Sequence, residues 1–217
     1  FKPDPRSIKC IAVARLFERN QIFEDNTLYW CHDVDHFQQL PITEKEITDE
    51  MGDCDIGICD YGRRIKYNCG SIFFRKSAGD IFIKMRGVVL KARQYWDTCE
   101  EERALMILIT NNLGWAYRSS VGAENSFLSA RRTDTESIKK RIKKLHITYN
   151  FADYNMTSLW RMCDGKPKTA HFNPFPEKQR RGIKDRLPFF LGDNKLGIPL
   201  LNERLLKIFK RHGLTKL

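Results

Sequence analysis

The chain has 217 residues and a formal net charge of +11, and 41% of its residues are hydrophobic and 12% aromatic. This composition excludes an intrinsically disordered chain, and the length suits one globular domain or two small ones. No apolar run approaches the roughly 18 residues of a membrane-spanning helix, and no signal peptide is recognisable, so we expect a cytoplasmic protein, or one of the host cytoplasm if it is viral.

Helices and strands are predicted to alternate along the chain. In order, we expect a helix over residues 7–21, a buried strand over 27–31, a short helix over 43–51, strands over 55–59 and 67–75, helices over 79–96 and 100–111, a strand over 114–119, strand-like pieces over 145–155 and 166–172, and a basic amphipathic helix over 200–212. Residues 122–142 predict either a loop or an exposed helix. This alternation indicates an α/β fold.

The positive charge is concentrated in four places, namely Arg63 and Arg64, residues 131–144, residues 178–186 and the last dozen residues. Such clusters attract phosphates, nucleic acid or an anionic membrane, although they also occur as ordinary solvated faces. The seven cysteines form no CxxC pair, so a structural zinc site is not indicated and free thiols are expected.

Two carboxylates follow the first predicted strand. Asp33 and Asp35 are two positions apart, and in an extended backbone such residues point to the same face. Two carboxylates on one face suit a hard divalent cation, Mg²⁺ or Mn²⁺, which can neutralise a diphosphate leaving group. The same D-x-D pattern also occurs in solvated acidic turns, so it predicts a metal site only together with other residues.

A histidine supplies a further candidate ligand. His171 ends the predicted piece over residues 166–172, and imidazole is an ordinary ligand for Mn²⁺ beside carboxylates. The alternative is a structural or exposed histidine.

Five segments occur in an order that carries a family resemblance. They read LYWCHDVDHF with Asp33 and Asp35, DIGICDYGRRIKYNCGSIFFRKS with Asn68-Cys69-Gly70, YWDTCEEERALMILI with Glu101-Glu102, LHITYNFADYN, and KPKTAHF with His171. In this order the chain resembles nucleotide-diphospho-sugar transferases of the GT-A fold, and it is most similar to the glycogenin-like and related groups. The match covers residues 27–172.

The resemblance implies a metal-dependent glycosyltransferase that uses a nucleotide-sugar donor. It assigns Asp33, Asp35 and His171 to a Mn²⁺ or Mg²⁺ ion, and Asn68 and Gly70 to the sugar and acceptor pocket. It implies catalytic roles for Glu101, Glu102 and Asn68, although the family pattern has Asp-Gln where this chain has Glu101-Glu102. Lys166 and Lys168 would add positive charge beside the leaving diphosphate. A retaining mechanism is favoured by the resemblance and not by the residues themselves.

The resemblance also predicts the domain organisation. We expect a single GT-A-like catalytic domain over residues 1–217, in which a mixed sheet is flanked by helices. Its core motifs lie in residues 27–172, and residues 173–217 form a basic C-terminal extension. Only 32 residues precede Asp33, so the N-terminal nucleotide-binding half is expected to be short or missing.

Two other functions are compatible with the sequence. A metal-dependent phosphoesterase would use a cluster of His32, Asp33, Asp35 and His36. A non-catalytic nucleic-acid-binding module would use the basic clusters, although no RNP, helix-turn-helix or zinc-finger pattern is present. For a transferase, a polyanionic acceptor such as modified viral or phage DNA would suit the charge, and polysaccharide, lipid-linked glycan and protein acceptors stay open.

Overall fold

The computed structural model describes residues 8–19, 22–60, 67–92, 101–110, 135–151, 167–172, 183–193, 197 and 199–214. In chain order the helices and strands are α1 (Ile8–Glu18), β1 (Leu28–His32), β2 (His36–Gln38), α2 (Glu44–Met51), β3 (Ile56–Asp60), β4 (Tyr67–Arg75), α3 (Gly79–Ala92), α4 (Glu101–Thr110), α5 (Thr135–Lys140), β5 (Ile142–Leu145), β6 (Thr169–His171), α6 (Ile183–Leu191) and α7 (Glu203–Arg211). Short 3₁₀ turns cover Lys76–Ala78 and Ile147–Tyr149.

The main sheet is mixed and has the strand order β1-β4-β3-β5. Strand β4 is antiparallel to both β1 and β3, whereas β3 and β5 run parallel. A second, two-stranded antiparallel sheet joins β2 to β6 and sets His36 opposite His171. The α/β class and the mixed sheet flanked by helices are therefore confirmed. No described helix is long and apolar enough to cross a membrane.

Strand β4 separates two hydrophobic cores because its side chains alternate between the two faces of the sheet. Ile72 and Phe74 pack with α1, α3 and α4, whereas Phe73 packs on the other side with α2, β6, α6 and α7. The second core is rich in phenylalanine, and the ring centroids of Phe172 and Phe190 are 4.5 Å apart. The described C-terminal helices are thus part of this core and do not stand apart from the strands.

Local signals explain where α2 begins and ends. Thr43 has an extended backbone and its hydroxyl accepts a hydrogen bond from the Glu46 amide at 3.2 Å, which satisfies a free donor of the first turn. At the other end Gly52 adopts φ 56° and its amide bonds back to the Thr48 carbonyl. A residue without a Cβ tolerates this left-handed backbone, so the helix ends there.

One predicted strand is wrong. The expected strand-like piece over residues 145–155 is in fact the last residue of β5 followed by the 3₁₀ turn Ile147–Tyr149. The His146 side chain accepts a hydrogen bond from the Thr148 amide at 3.2 Å, and this local bond favours a turn over a strand ladder. Residues 152–155 lie outside the described part of the chain.

Other elements differ from the sequence prediction or cannot be compared with it. Helix α6 and strand β2 were not predicted, because Pro188 interrupts the helical pattern of α6 and β2 has only three residues. The polar stretch over 122–142 contains α5, whose Ile138 is buried. The predicted strand over 114–119, the helix residues 93–96, and Arg63, Arg64, Arg131 and Arg132 lie outside the described residues.

Arg141 connects three elements at the end of the sheet farther from the aspartate pair. Its guanidinium bonds both carboxylate oxygens of Asp80 on α3, at 2.7 and 3.0 Å, and also the carboxylate of Asp55, which precedes β3. The Asp55 side chain is only 15% exposed, so it depends on this cation for its charge balance. A residue of the basic run over 131–144 is therefore used within the fold.

We predict that Arg141→Ala lowers the free energy of unfolding by about 1–3 kcal/mol, because it leaves the half-buried Asp55 without its cation. Lys139→Ala is the matched control, since Lys139 pairs with Glu136 at 3.7 Å on an exposed surface. Such a pair contributes at most about 1 kcal/mol. Urea unfolding of both variants measures the difference, and equal midpoints would contradict the structural role of Arg141.

Candidate metal centre

The acidic pair lies in a turn between β1 and β2. Three backbone hydrogen bonds hold this turn, since the Asp33 amide donates to the Gly70 carbonyl at 2.9 Å, the His36 amide to the Asp33 carbonyl at 3.2 Å, and the Phe172 amide to the Asp35 carbonyl at 3.0 Å. Val34 at its tip is 98% exposed. The expectation that extended backbone aligns the two carboxylates is wrong, because the turn itself brings them to one side.

Asp33, Asp35 and His171 converge at this turn. One ligand atom of each lies within 4.8 Å of the others, and among the described residues this is the group that could hold a metal ion. The His171 Nε2 atom lies 3.6 Å from Asp33 Oδ2 and 3.4 Å from Asp35 Oδ1. Two carboxylates with one imidazole form a donor set that fits a divalent metal ion.

The electrostatics favour a charged Asp35. Burial alone would raise the pKa of its carboxyl group, but the adjacent His171 ring and, more weakly, the charge of Lys9 outweigh burial and hold this pKa below its ordinary value. Asp35 is therefore ionised at neutral pH, as a metal ligand must be.

Gly70 lies directly beneath the His171 ring. A Cβ atom added at Gly70 would be only 2.2 Å from His171 Cε1 and 2.7 Å from the Asn68 side-chain oxygen. The ring can occupy its position only because residue 70 has no side chain. The sequence suggested a role for Gly70 in the substrate pocket, and the structure shows its contact with the candidate metal ligand.

Lys9, which the sequence analysis missed, contacts the site from α1. Its ammonium lies 2.6 Å from Asp33 Oδ1 and 3.6 Å from Glu101 Oε2, and it also donates to the Cys69 carbonyl. Burial alone would lower the pKa of Lys9, but the two carboxylates outweigh it and raise this pKa above its ordinary value. Lys9 therefore stays charged and holds one oxygen of Asp33, while the other oxygen faces His171.

Glu101 and Glu102 occupy different environments at the start of α4. Glu101 is 4% exposed and accepts a hydrogen bond from the Cys10 amide at 2.7 Å. Burial raises its pKa to about 7, against the opposing effect of Lys9. Glu102 accepts from the Asn68 side-chain amide at 2.6 Å and from the Cys69 amide at 3.3 Å. Glu101 is thus not an exposed residue of a helix start.

Of the two predicted phosphate-binding lysines, the structure describes Lys168. The Lys168 ammonium binds the Glu46 carboxylate at 2.6 Å and lies 5.9 Å from the centre of the Tyr149 ring. Lys166 lies outside the described residues.

The histidines beside the aspartates do not complete the cluster that a phosphoesterase would need. The His32 Nδ1 atom lies 2.9 Å from the Asp33 carbonyl, and His36 is buried with its ring against Trp30 and His171. Burial, together with the neighbouring histidines, lowers the pKa of His36 to about 2. Within the described residues neither histidine belongs to the group of converging ligand atoms.

Comparison with known proteins gives little further information. No protein-family profile and no curated protein match this sequence. Among solved structures, the chain is similar to the glycosyltransferase GlyE of Streptococcus pneumoniae TIGR4, with a TM-score of 0.47 and 13% sequence identity. The match covers 93% of this chain and 46% of GlyE, so the chain spans about half the length of that protein. The likeness is too distant to carry a functional argument.

The buried Glu101 predicts a pH dependence of stability. Its carboxyl pKa rises from 4.5 to about 7 on folding, so the folded chain binds more protons than the unfolded chain between these values. Its contribution to stability is therefore complete below about pH 4.5 and is lost as the pH rises towards 7, a loss on the order of a few kcal/mol.

We expect Glu101→Gln to remove this loss, so that its free energy of unfolding falls less than that of the wild type as the pH rises. The exposed Glu44 of α2 provides the control, and Glu44→Gln should keep the wild-type pH dependence. Urea unfolding in EDTA across this pH interval measures the effect. A Glu101→Gln profile parallel to that of the wild type would show that Glu101 does not titrate in this way.

Proposed function

We propose that this chain is the catalytic part of a metal-dependent glycosyltransferase that moves a sugar from a nucleotide-diphosphate sugar to an acceptor. The observation that carries the proposal is the convergence of Asp33, Asp35 and His171 within 4.8 Å. The aspartate pair and His171 are far apart in the sequence, and they come from two motifs whose order resembles that of GT-A-fold transferases. The mixed α/β sheet flanked by helices is compatible with that fold.

The metal ligands in this proposal are Asp33 through Oδ2, Asp35 through Oδ1 and His171 through Nε2. A Mn²⁺ or Mg²⁺ ion held there would neutralise charge on the diphosphate of the donor. The exposed tip of the turn at Val34 supports access for a donor from solvent. Preorganised charges of this kind stabilise a leaving group without reorganisation during the reaction.

The remaining site residues have supporting roles in this proposal. Lys9 keeps Asp33 in one orientation, and Glu101 balances the charge of Lys9 inside the protein. Glu102 binds Asn68 next to Gly70 on β4. The sugar contacts and catalytic roles that the sequence suggested for Asn68, Glu101 and Glu102 stay predictions, as do the diphosphate contacts of Lys166 and Lys168.

The metal dependence is tested with Asp33→Asn and Asp35→Asn. Loss of an outer-shell group typically costs about 10–100-fold in metal affinity, so loss of a direct ligand should cost at least that much. Calorimetric titration with Mn²⁺ measures the affinity, and hydrolysis of a nucleotide-sugar panel with Mn²⁺ or EDTA measures the activity.

Asp49→Asn is the control, because Asp49 is an exposed residue of α2 whose partner is Lys45. It should behave as the wild type in both assays. Turnover that is unchanged in EDTA would contradict the proposed function.

For the acceptor we propose a polyanion of the nucleic-acid type, and the basic face of α7 supports this choice. Arg204, Lys207 and Arg211 are exposed at positions i, i+3 and i+7, so they lie along one side of the helix. Leu205 and Phe209, on the opposite side, are buried in the second core. An interfacial membrane helix needs its apolar face free, so this arrangement favours a phosphodiester backbone over a lipid surface.

We expect the variant with Arg204→Glu, Lys207→Glu and Arg211→Glu to bind duplex DNA more weakly and with a shallower salt dependence. Each lost phosphate contact should reduce the log–log slope by about 0.9. The matched control reverses three exposed lysines of the predicted basic run, Lys139, Lys140 and Lys143, so that the change in net charge is the same.

Filter binding from low to physiological salt measures both variants, and donor hydrolysis should be retained in both. An equal loss of DNA affinity in the two variants would show that binding depends on the net charge of the protein and not on the face of α7. Weak retention of DNA by the wild type at low salt would rule out a nucleic-acid acceptor.

A further inference from the structure

Two buried asparagines connect Glu102 to His171. The Asn150 side chain is fully buried and that of Asn68 is 3% exposed. The Asn150 Oδ1 atom lies 2.8 Å from His171 Nδ1, the Asn150 Nδ2 atom lies 2.7 Å from Asn68 Oδ1, and the Asn68 Nδ2 atom lies 2.6 Å from a Glu102 oxygen. A continuous chain of hydrogen bonds therefore runs from α4 to the candidate metal ligand on β6.

The orientation of the Asn68 amide follows from its neighbours. The Gly70 backbone amide can only donate, and it lies 2.8 Å from the Asn68 side chain, so the atom that it meets must be Oδ1. The other end of the amide must then be Nδ2, which donates to the Glu102 carboxylate. A flipped Asn68 would place its nitrogen against the Gly70 amide, which is also a donor, and its oxygen against the Glu102 carboxylate, which is also an acceptor.

The orientation of Asn150 follows in turn. One end of its amide faces two oxygens of Asn68, the side-chain Oδ1 at 2.7 Å and the backbone carbonyl at 3.3 Å. Both are acceptors, so this end must be Nδ2. The oxygen of Asn150 therefore faces His171, and the Nδ1 atom of that ring must carry a hydrogen.

We infer that Asn150 and Asn68 are positioning residues that hold the neutral His171 ring in its Nδ1–H tautomer. The lone pair of Nε2 then points to the side of Asp33 and Asp35, where a metal ion would bind. In the other tautomer, the bare Nδ1 atom would face the Asn150 oxygen at 2.8 Å in a buried place, with no hydrogen between the two acceptors. The consequence for metal binding rests on the proposed function, whereas the tautomer does not.

This inference gives Asn68 a role that differs from a sugar contact. Its side-chain oxygen accepts from Gly70 and Asn150, and its nitrogen donates to Glu102. Glu102 thereby acts on the candidate metal centre through two amides. The same logic applies to metal-binding histidines in general, whose second ring nitrogen is fixed by an outer-shell acceptor.

The test compares the wild type with Asn150→Leu and Asn150→Asp. Long-range proton–nitrogen spectra of ¹⁵N-histidine protein, without metal and at a pH where the ring is neutral, report the tautomer of His171. We expect Nδ1–H in the wild type and in Asn150→Asp, which keeps an oxygen for this hydrogen and, with its other oxygen protonated, can still donate to Asn68. We expect Nε2–H in Asn150→Leu, because the acceptor is gone and the carboxylates attract the hydrogen.

Titration with Mn²⁺ then measures the functional effect. The affinity should fall about 10–100-fold in Asn150→Leu and by less in Asn150→Asp. Ser71→Ala is the control for changes in a buried polar group, because Ser71 is buried on β4 and bonds Trp30 instead of the asparagine chain. It should change neither the tautomer nor the affinity.

The outcomes separate this inference from the proposed function. A wild-type Nε2–H tautomer would overturn the inference even if Asn150→Leu failed to fold, and so would a folded Asn150→Leu that kept Nδ1–H. Nδ1–H in the wild type without any binding of Mn²⁺ or Mg²⁺ would support the positioning role and overturn the metal-dependent function.

Discussion

The site depends on the backbone hydrogen bonds that hold the turn from Asp33 to Asp35 on both sides. The Asp33 amide is bonded to β4 through Gly70, and the Asp35 carbonyl is bonded to Phe172, the residue after β6. Backbone positions fixed by two different strands leave the short aspartate side chains little freedom. The carboxylates are therefore preorganised beside His171 by main-chain bonds, before any ligand is considered.

Charge balance explains why this arrangement is tolerable inside a folded chain. Asp33, Asp35 and Glu101 would repel one another at close range if no cation were near. Lys9 lies between Asp33 and Glu101, and the burial of Glu101 is reflected in a pKa of about 7. A divalent cation at the open side of Asp33 and Asp35 would complete the same balance. The remaining negative charge of the site thus favours a cation there.

Sequence reasoning identified the features that depend on neighbouring residues and missed the contacts between residues that are distant in sequence. The strand before Asp33, the cap at Thr43 and the mostly buried strand β4 follow from short patterns of apolar and capping residues. Asp33, Asp35 and His171 were found because each lies in a recognisable motif. Lys9 and Asn150 were missed, since their partners are distant in sequence and no spacing rule indicates them. The turn was mistaken for extended backbone because i, i+2 spacing suits both.

The candidate metal site lies between the two hydrophobic cores. Lys9 and Glu101 come from helices of the first core, whereas His171 lies between Ala170 and Phe172 of the second. The ligand group and the residues that balance its charge are therefore assembled together only when both faces of the sheet are packed. A cation that binds this group stabilises the fully packed state over states in which one core has opened. A cation bound there would couple binding to folding through β4, whose Gly70 contacts the His171 ring and bonds Asp33.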